Sequence, residues 1–310
     1  MKKDILTLLD LDRDDFDQLF KRSFELKQRQ KKGKVETALA GKTLGLIFEK
    51  PSTRTRVSFE AAMARMGGAA FFINAKDTQL SRDEPVKDTA RALSGYLDCM
   101  AIRAYSQSML DGFAKHALIP VVNALTDLYH PCQVLSDIMT ILEYKKSLRR
   151  LKIVWMGDGN NMAHSLANAA ATLEMNLFLA CPKESLPDSG IIENAREKIA
   201  GDGSRGRITI ISDPAEALMD ADVIYTDVWR SMGQKKDEAK IKALEPFKVD
   251  KKAVGMAKDD VIVMHCLPAH RGEEIEEDVM EGPRSVIWTQ SENKLYMHMA
   301  VLEALITGRS

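Results

Sequence analysis

Short apolar runs recur along the whole chain, and segments of helical periodicity fill the gaps between them. In the first half the strand-like runs lie near 43–48, 69–74, 99–104 and 120–124, with helical patterns at 53–66, 86–97, 107–116 and about 131–146. In the second half they are "KIVWMG" (152–157), "NLFLAC" (176–181), "RITIIS" (207–212), "VIYTDV" (223–228), "VIVMHCL" (261–267) and "SVIWT" (285–289), before a last helix at about 291–307. Such alternation predicts parallel sheets covered by helices on both faces. A chain of 310 residues suits two such units, at roughly 100–200 residues per domain. The charged stretch "KKSLRRLK" (145–152) marks the expected boundary between 147 and 148. The expected fold is therefore α/β, as two doubly wound parallel-sheet αβα domains.

Charge narrows the function. Lys plus Arg is 44 and Asp plus Glu is 45, giving a formal balance of 44 − 45 = −1. A dedicated nucleic-acid binder usually carries a basic excess, so nucleic acid is not an expected partner. No run reaches the roughly 18 apolar residues of a membrane span. The start, "MKKDILTLLD", does not read as a signal peptide. Cys99, Cys132, Cys181 and Cys266 are widely spaced and form no C-x-x-C pair. Cys99 and Cys181 read as buried free thiols in a reducing compartment, and the expected location is cytoplasmic.

In open parallel sheets ligands bind beyond the carboxyl ends of the strands. "FEKPSTRTRVSFE" (48–60) joins such a strand end to a helix. Arg54 and Arg56 there oppose the positive end of the helix dipole. The conflict disappears if an anion sits among free helix N–H groups, the hydroxyls of Ser52, Thr53 and Thr55, and a guanidinium fork. A solvated, ion-paired arginine is the competing reading for Arg56 taken alone. The pattern lacks the Walker G-x-x-x-x-G-K-[ST], so the phosphate expected here belongs to a small molecule rather than ATP.

Other strand ends carry polar groups. Arg103 closes the run "CMAI", an ordinary surface position when read alone. Pro131 suits a first helical position, which places His130 at the cap and Gln133 on the same face. "MGDGNNMAHS" (156–165) offers G-x-G, but Met162 replaces the third glycine of a dinucleotide fingerprint, so a nicotinamide site is weakly supported. Asp227 ends another strand and is followed by the loop Ser231-Met232-Gly233, a candidate lid. His265 and Cys266 are neighbours, and on a strand they face opposite sides, so one metal cannot easily take both. The polar segment 76–93 is long enough to serve a site or reach a neighbouring subunit.

Taken in order, "STRTR" (52–56), "HPCQ" (130–133), "DVWRSMG" (227–233) and "HCLP" (265–268) resemble the transcarbamylases. The last two point to the ornithine carbamoyltransferase branch, and the resemblance spans essentially the whole chain. It implies a carbamoyl phosphate-binding domain over 1–147, an ornithine-binding domain over 148–290, and a terminal helix (291–310) packing back on the first. It also implies a homotrimer with shared active sites, with carbamoyl phosphate and L-ornithine as substrates and neither metal nor organic cofactor. By the same resemblance Ser52, Thr53, Arg54 and Thr55 form the phosphate turn with Arg56 beside them. Arg103, His130 and Gln133 surround the carbamoyl group, and an adjacent subunit supplies Gln79. Asn161, Asp227, Ser231 and Met232 contact ornithine, and the two substrates meet at Cys266 and Leu267. The family usually has arginine where this chain has Lys294, beside carbamoyl phosphate. Alternatives are a sister transferase acting on another amine such as putrescine, or a non-catalytic anion-binding protein.

Overall fold

The structure is a computed structural model that describes residues 1–78, 83–201, 203, 205–230 and 237–308. Two compact units divide the chain, one of residues 1–139 with 293–310 and the other of residues 140–292.

The first unit opens with α1 (Arg13–Lys31) and then alternates β1 (Thr43–Phe48), α2 (Arg54–Arg65), β2 (Ala69–Asn74), α3 (Val86–Ser94), β3 (Cys99–Arg103), α4 (Gln107–His116) and β4 (Val121–Leu125). It also takes the first part of α5 (Pro131–Lys145). All strand pairs are parallel, in the order β2-β1-β3-β4. Ile47, Met100, Ile102, Leu110, Phe113 and Val121 form a continuous core under the sheet. Each such side chain contributes roughly 1.5–3 kcal/mol by leaving water. The apolar residues of β1 and β3 are buried throughout, as expected of central strands covered on both faces.

The second unit alternates β5 (Lys152–Met156), α6 (Asn161–Leu173), β6 (Asn176–Ala180), α7 (Ser189–Gly201), β7 (Arg207–Ile211), α8 (Pro214–Leu218), β8 (Val223–Thr226), α9 (Glu238–Leu244), α10 (Lys251–Gly255), β9 (Ile262–His265) and α11 (Glu277–Met280). Its parallel sheet runs β7-β6-β5-β8-β9. α12 (Ile287–Thr307) begins in this unit and continues into the first from Asn293 onward.

Register places the functional loops. Phe48 pairs with Arg103, and Arg103 with Leu125, so three strand ends stand level in the first unit. Met156 pairs with Thr226, and Thr226 with His265, doing the same in the second. Strand order reverses between β1 and β3 and again between β5 and β8, the switch points at which open sheets bind ligands.

One expectation needs correction. The run 285–289 is not a strand: Ser285 makes only an isolated bridge to Val263, and the helix begins at Ile287. A short apolar run does not distinguish a strand from a buried helix start. α1 carries its own start signal, a capping box formed by Asp12 and Asp15. The two compact units meet inside α5, at 139/140.

Candidate active site

In the first unit α2 starts without a side-chain cap. Thr53 precedes it with helical torsions and accepts no capping hydrogen bond, and its first turn holds no acidic residue. Most other helices with a described start are capped by Asp, Asn or Ser, as Asp12, Ser106, Asp237 and Asp250 do. Free amide donors therefore face outward beside Ser52 and Thr53. Arg54 is exposed and makes no hydrogen bond or ion pair among the described residues. Arg56 is turned elsewhere: its Nε donates to Glu60 at 2.9 Å, and its guanidinium lies 3.5 Å over the Phe72 ring.

Arg103 is buried and its Nε has no hydrogen-bond partner. Burial, then the nearby Arg54, push its guanidinium down to about 10. Two close positive groups with no carboxylate paired to either among the described residues are costly unless an anion neutralises them. His130 is buried at the start of α5. Burial, with Lys294 and Arg103 adding positive field, holds its imidazole well below the ordinary range, so it is neutral at pH 7. Lys294 is also buried and donates to Thr55 Oγ1 at 2.9 Å and to Gln133 Oε1 at 2.8 Å. Gln133 Nε2 in turn donates to Asp137 at 2.8 Å. Thr55 Oγ1 accepts from Lys294, which leaves its own proton to donate.

A clamp that the sequence did not reveal joins these loops. Glu49 accepts from the Tyr105 amide at 2.7 Å, and the Glu49 amide donates to the Arg103 carbonyl at 2.8 Å. Lys50 is buried, ion-paired to Asp127 and seated 4.2 Å over the Tyr105 ring. The Asp127 amide donates to the Tyr105 carbonyl at 3.0 Å. The loops after β1, β3 and β4 are thus tied to one another.

In the second unit Asp227 follows β8 and is buried. The Cys266 thiol donates to its Oδ1 at 2.9 Å, and Asn160 Nδ2 donates to its Oδ2 at 3.1 Å. Burial raises the Asp227 carboxyl above its usual range, against the lowering pull of His265 and these donors. Asn161 opens α6 beside Asn160. Gly159 approaches Pro187 so closely that a Cβ there would lie 2.1 Å from the Pro187 nitrogen. The second glycine of G-x-G is thus required by packing here.

His265 corrects an expectation. Asp227, His265 and Cys266 present ligand atoms within 4.8 Å of one another. β9 ends at His265, so strand alternation does not carry through to Cys266. The imidazole is nonetheless committed: Nδ1 accepts from the Leu267 amide at 2.8 Å, and Nε2 lies 3.0 Å from buried Glu274. Leu267 itself has a left-handed φ of 59°. Gln79, Ser231 and Met232 lie outside the described residues.

A family model for the "Aspartate/ornithine carbamoyltransferase, carbamoyl-P binding domain" matches residues 3–143, and its companion "Asp/Orn binding domain" matches residues 149–305. The chain belongs to the aspartate/ornithine carbamoyltransferase family. Among members of this carbamoyltransferase family, the ornithine carbamoyltransferase of Syntrophus aciditrophicus is 51% identical over 307 residues, covering 99% of this chain and 100% of that one. The solved structure of ornithine carbamoyltransferase from Pyrococcus furiosus superposes with a TM-score of 0.94 at 46% identity, covering 99% and 98% of the two chains. An anabolic ornithine carbamoyltransferase from Campylobacter jejuni matches with a TM-score of 0.91 at 40% identity over 100% of both chains. The fold expected from sequence is the carbamoyltransferase fold observed.

Proposed function

We propose that the chain transfers the carbamoyl group of carbamoyl phosphate to the δ-amine of L-ornithine, giving L-citrulline and phosphate. One observation carries this reading beyond family membership: beside an uncapped helix start, Arg54 and buried Arg103 stand close together with no carboxylate paired to either among the described residues. That arrangement suits a dianionic phosphoryl group.

Arg54, the α2 amides, Ser52 and Thr53 hold the phosphate, with Arg56 flanking the turn. Arg103, neutral His130 and the Thr55 hydroxyl donate to the carbonyl oxygen as negative charge develops on it in the tetrahedral intermediate. Lys294 sets the Thr55 and Gln133 side chains from behind. Lysine supplies the charge that arginine supplies in relatives, without the planar fork. The Asp227 carboxylate orients ornithine through its α-amino group, together with Asn161 and the Ser231–Met232 segment. Cys266 and Leu267 stand where the attacking amine arrives. That amine must be uncharged to attack, although a primary amine titrates near a pKa of about 10.4. The departing phosphate is a suitable acceptor for its proton.

A homotrimer accords with the exposed edge strand β2, where Phe71 and Phe72 face outward. Each neighbour would lend Gln79. The names of the Pyrococcus furiosus and Campylobacter jejuni relatives support the anabolic direction, toward arginine synthesis. All four cysteines are free, and among the described residues no helix is long and apolar enough to cross a membrane, which supports a cytoplasmic place of work. The deciding experiment is a citrulline assay with ornithine, acetylated ornithine and putrescine as acceptors. Citrulline from ornithine alone is expected. Turnover of putrescine in preference to ornithine, or of no acceptor, would sink the reading.

A further inference from the structure

Asn160 faces two ways. It is the N-cap of α6, with extended torsions, and its Oδ1 accepts from the Met162 and Ala163 amides at 2.9 and 3.4 Å. Two N–H donors on that side fix the amide orientation, because a flipped side chain would present its NH₂ group to them. Nδ2 is thereby forced toward Asp227, which it reaches at 3.1 Å on Oδ2. The other carboxylate oxygen takes the Cys266 thiol at 2.9 Å. Neither contact belongs to the helix ladder or the sheet, yet together they set the plane of the carboxylate.

We propose that Asn160 is a positioning residue for acceptor recognition. It anchors Asp227 to the start of α6, so that the carboxylate presents one fixed face to the α-amino group of the acceptor amino acid. This assignment rests on the transfer reaction proposed above. The helix cap and the Asp227 contact use different atoms of one side chain, so substitution can separate them. Serine caps a helix about as well as asparagine but does not extend a second donor to Asp227. Asn160→Asp keeps the capping oxygen and sets a carboxylate against Asp227 in place of a donor.

The test is steady-state kinetics with both substrates varied, alongside thermal unfolding. For Asn160→Ser the expected result is an unchanged melting temperature and an unchanged KM for carbamoyl phosphate. The KM for ornithine rises about tenfold or more, as loss of a hydrogen bond to a charged group implies. Asn160→Asp is expected to raise the ornithine KM further, again with little effect on carbamoyl phosphate. An unchanged ornithine KM in both variants would overturn the proposal and leave Asn160 as a helix cap only. An equal rise in both KM values would overturn it too, as general loosening of the site. A wild-type protein that forms no citrulline overturns the underlying reaction instead, and is distinguished by failing before any variant is compared.

Discussion

Asp227 is a carboxyl group held away from water with three donors close by: the Cys266 thiol, the Asn160 amide and the Val228 backbone. Burial outweighs those donors and raises its pKa. Under the proposed reaction, ornithine binding through its α-amino group needs the ionised form of Asp227. kcat/KM for ornithine is therefore expected to fall as pH drops through a pKa above the usual carboxylate value of about 3.9. In Asp227→Asn that acid limb should vanish, and kcat/KM should drop roughly 10- to 100-fold, the worth of a hydrogen bond to a charged group. An acid limb that survives the substitution would assign it to another group. The stability sign is the opposite of the usual aspartate case. With the folded pKa raised, stabilisation from Asp227 is present below its unfolded pKa and is lost as pH rises through the folded pKa. Arg54 offers a simpler test, because it is exposed and unattached among the described residues. Arg54→Ala should leave the melting temperature unchanged and lower kcat/KM for carbamoyl phosphate by about 10²–10³. Near-normal rates would contradict a phosphate role.

At the scale of elements, the site is a set of loops carried on level strand ends. Sequence showed the strands and most helices of both sheets, because buried parallel strands and amphipathic helices each write their period into the chain. It also located Arg103 and Asp227 at strand ends, where each closes an apolar run, and His130 at a helix cap. What it did not show were the contacts between loops distant in sequence. Lys50 and Asp127 are 77 positions apart, as are Glu49 and Tyr105 by 56. Nothing in their local patterns links them. Asn160 was legible in principle, as a cap residue immediately before a helical run, but its second partner depends on the β5–β8 register. The clamp yields its own prediction. Lys50→Met keeps the aliphatic stem over Tyr105 but cuts the ion pair, leaving the loops after β1, β3 and β4 less firmly spaced. The expected result is a lower kcat with both KM values within about threefold, since a displacement of about 1 Å can cost about 10² in rate. Asp127→Asn should give a similar loss, and the double variant should lose no more than either alone. Additive losses would mean that the two residues act separately.

At the scale of the whole molecule, the first unit leaves one flank of its sheet unfinished. β2 is an edge strand, and proteins usually blunt such edges with charge, proline or a covering element. Here the strand reads "AAFFIN", with Phe71 about half exposed at 52% and Val57 of α2 at 53%. Arg56, spread over Phe72 and paired to Glu60, shields part of this surface but leaves Phe71 uncovered. Covering by a second copy of the chain would bury this edge, and the proposed trimer would close as a ring of three. Sedimentation should then give a particle of three times the 34.6 kDa chain mass. Phe71→Lys puts a desolvated charge into that contact while costing the isolated chain little, because the residue is half exposed there. The variant should sediment as a monomer, unfold cooperatively and lose citrulline formation. A Phe71→Lys monomer with full activity would show that each chain works alone, and the exposed edge would then need another explanation.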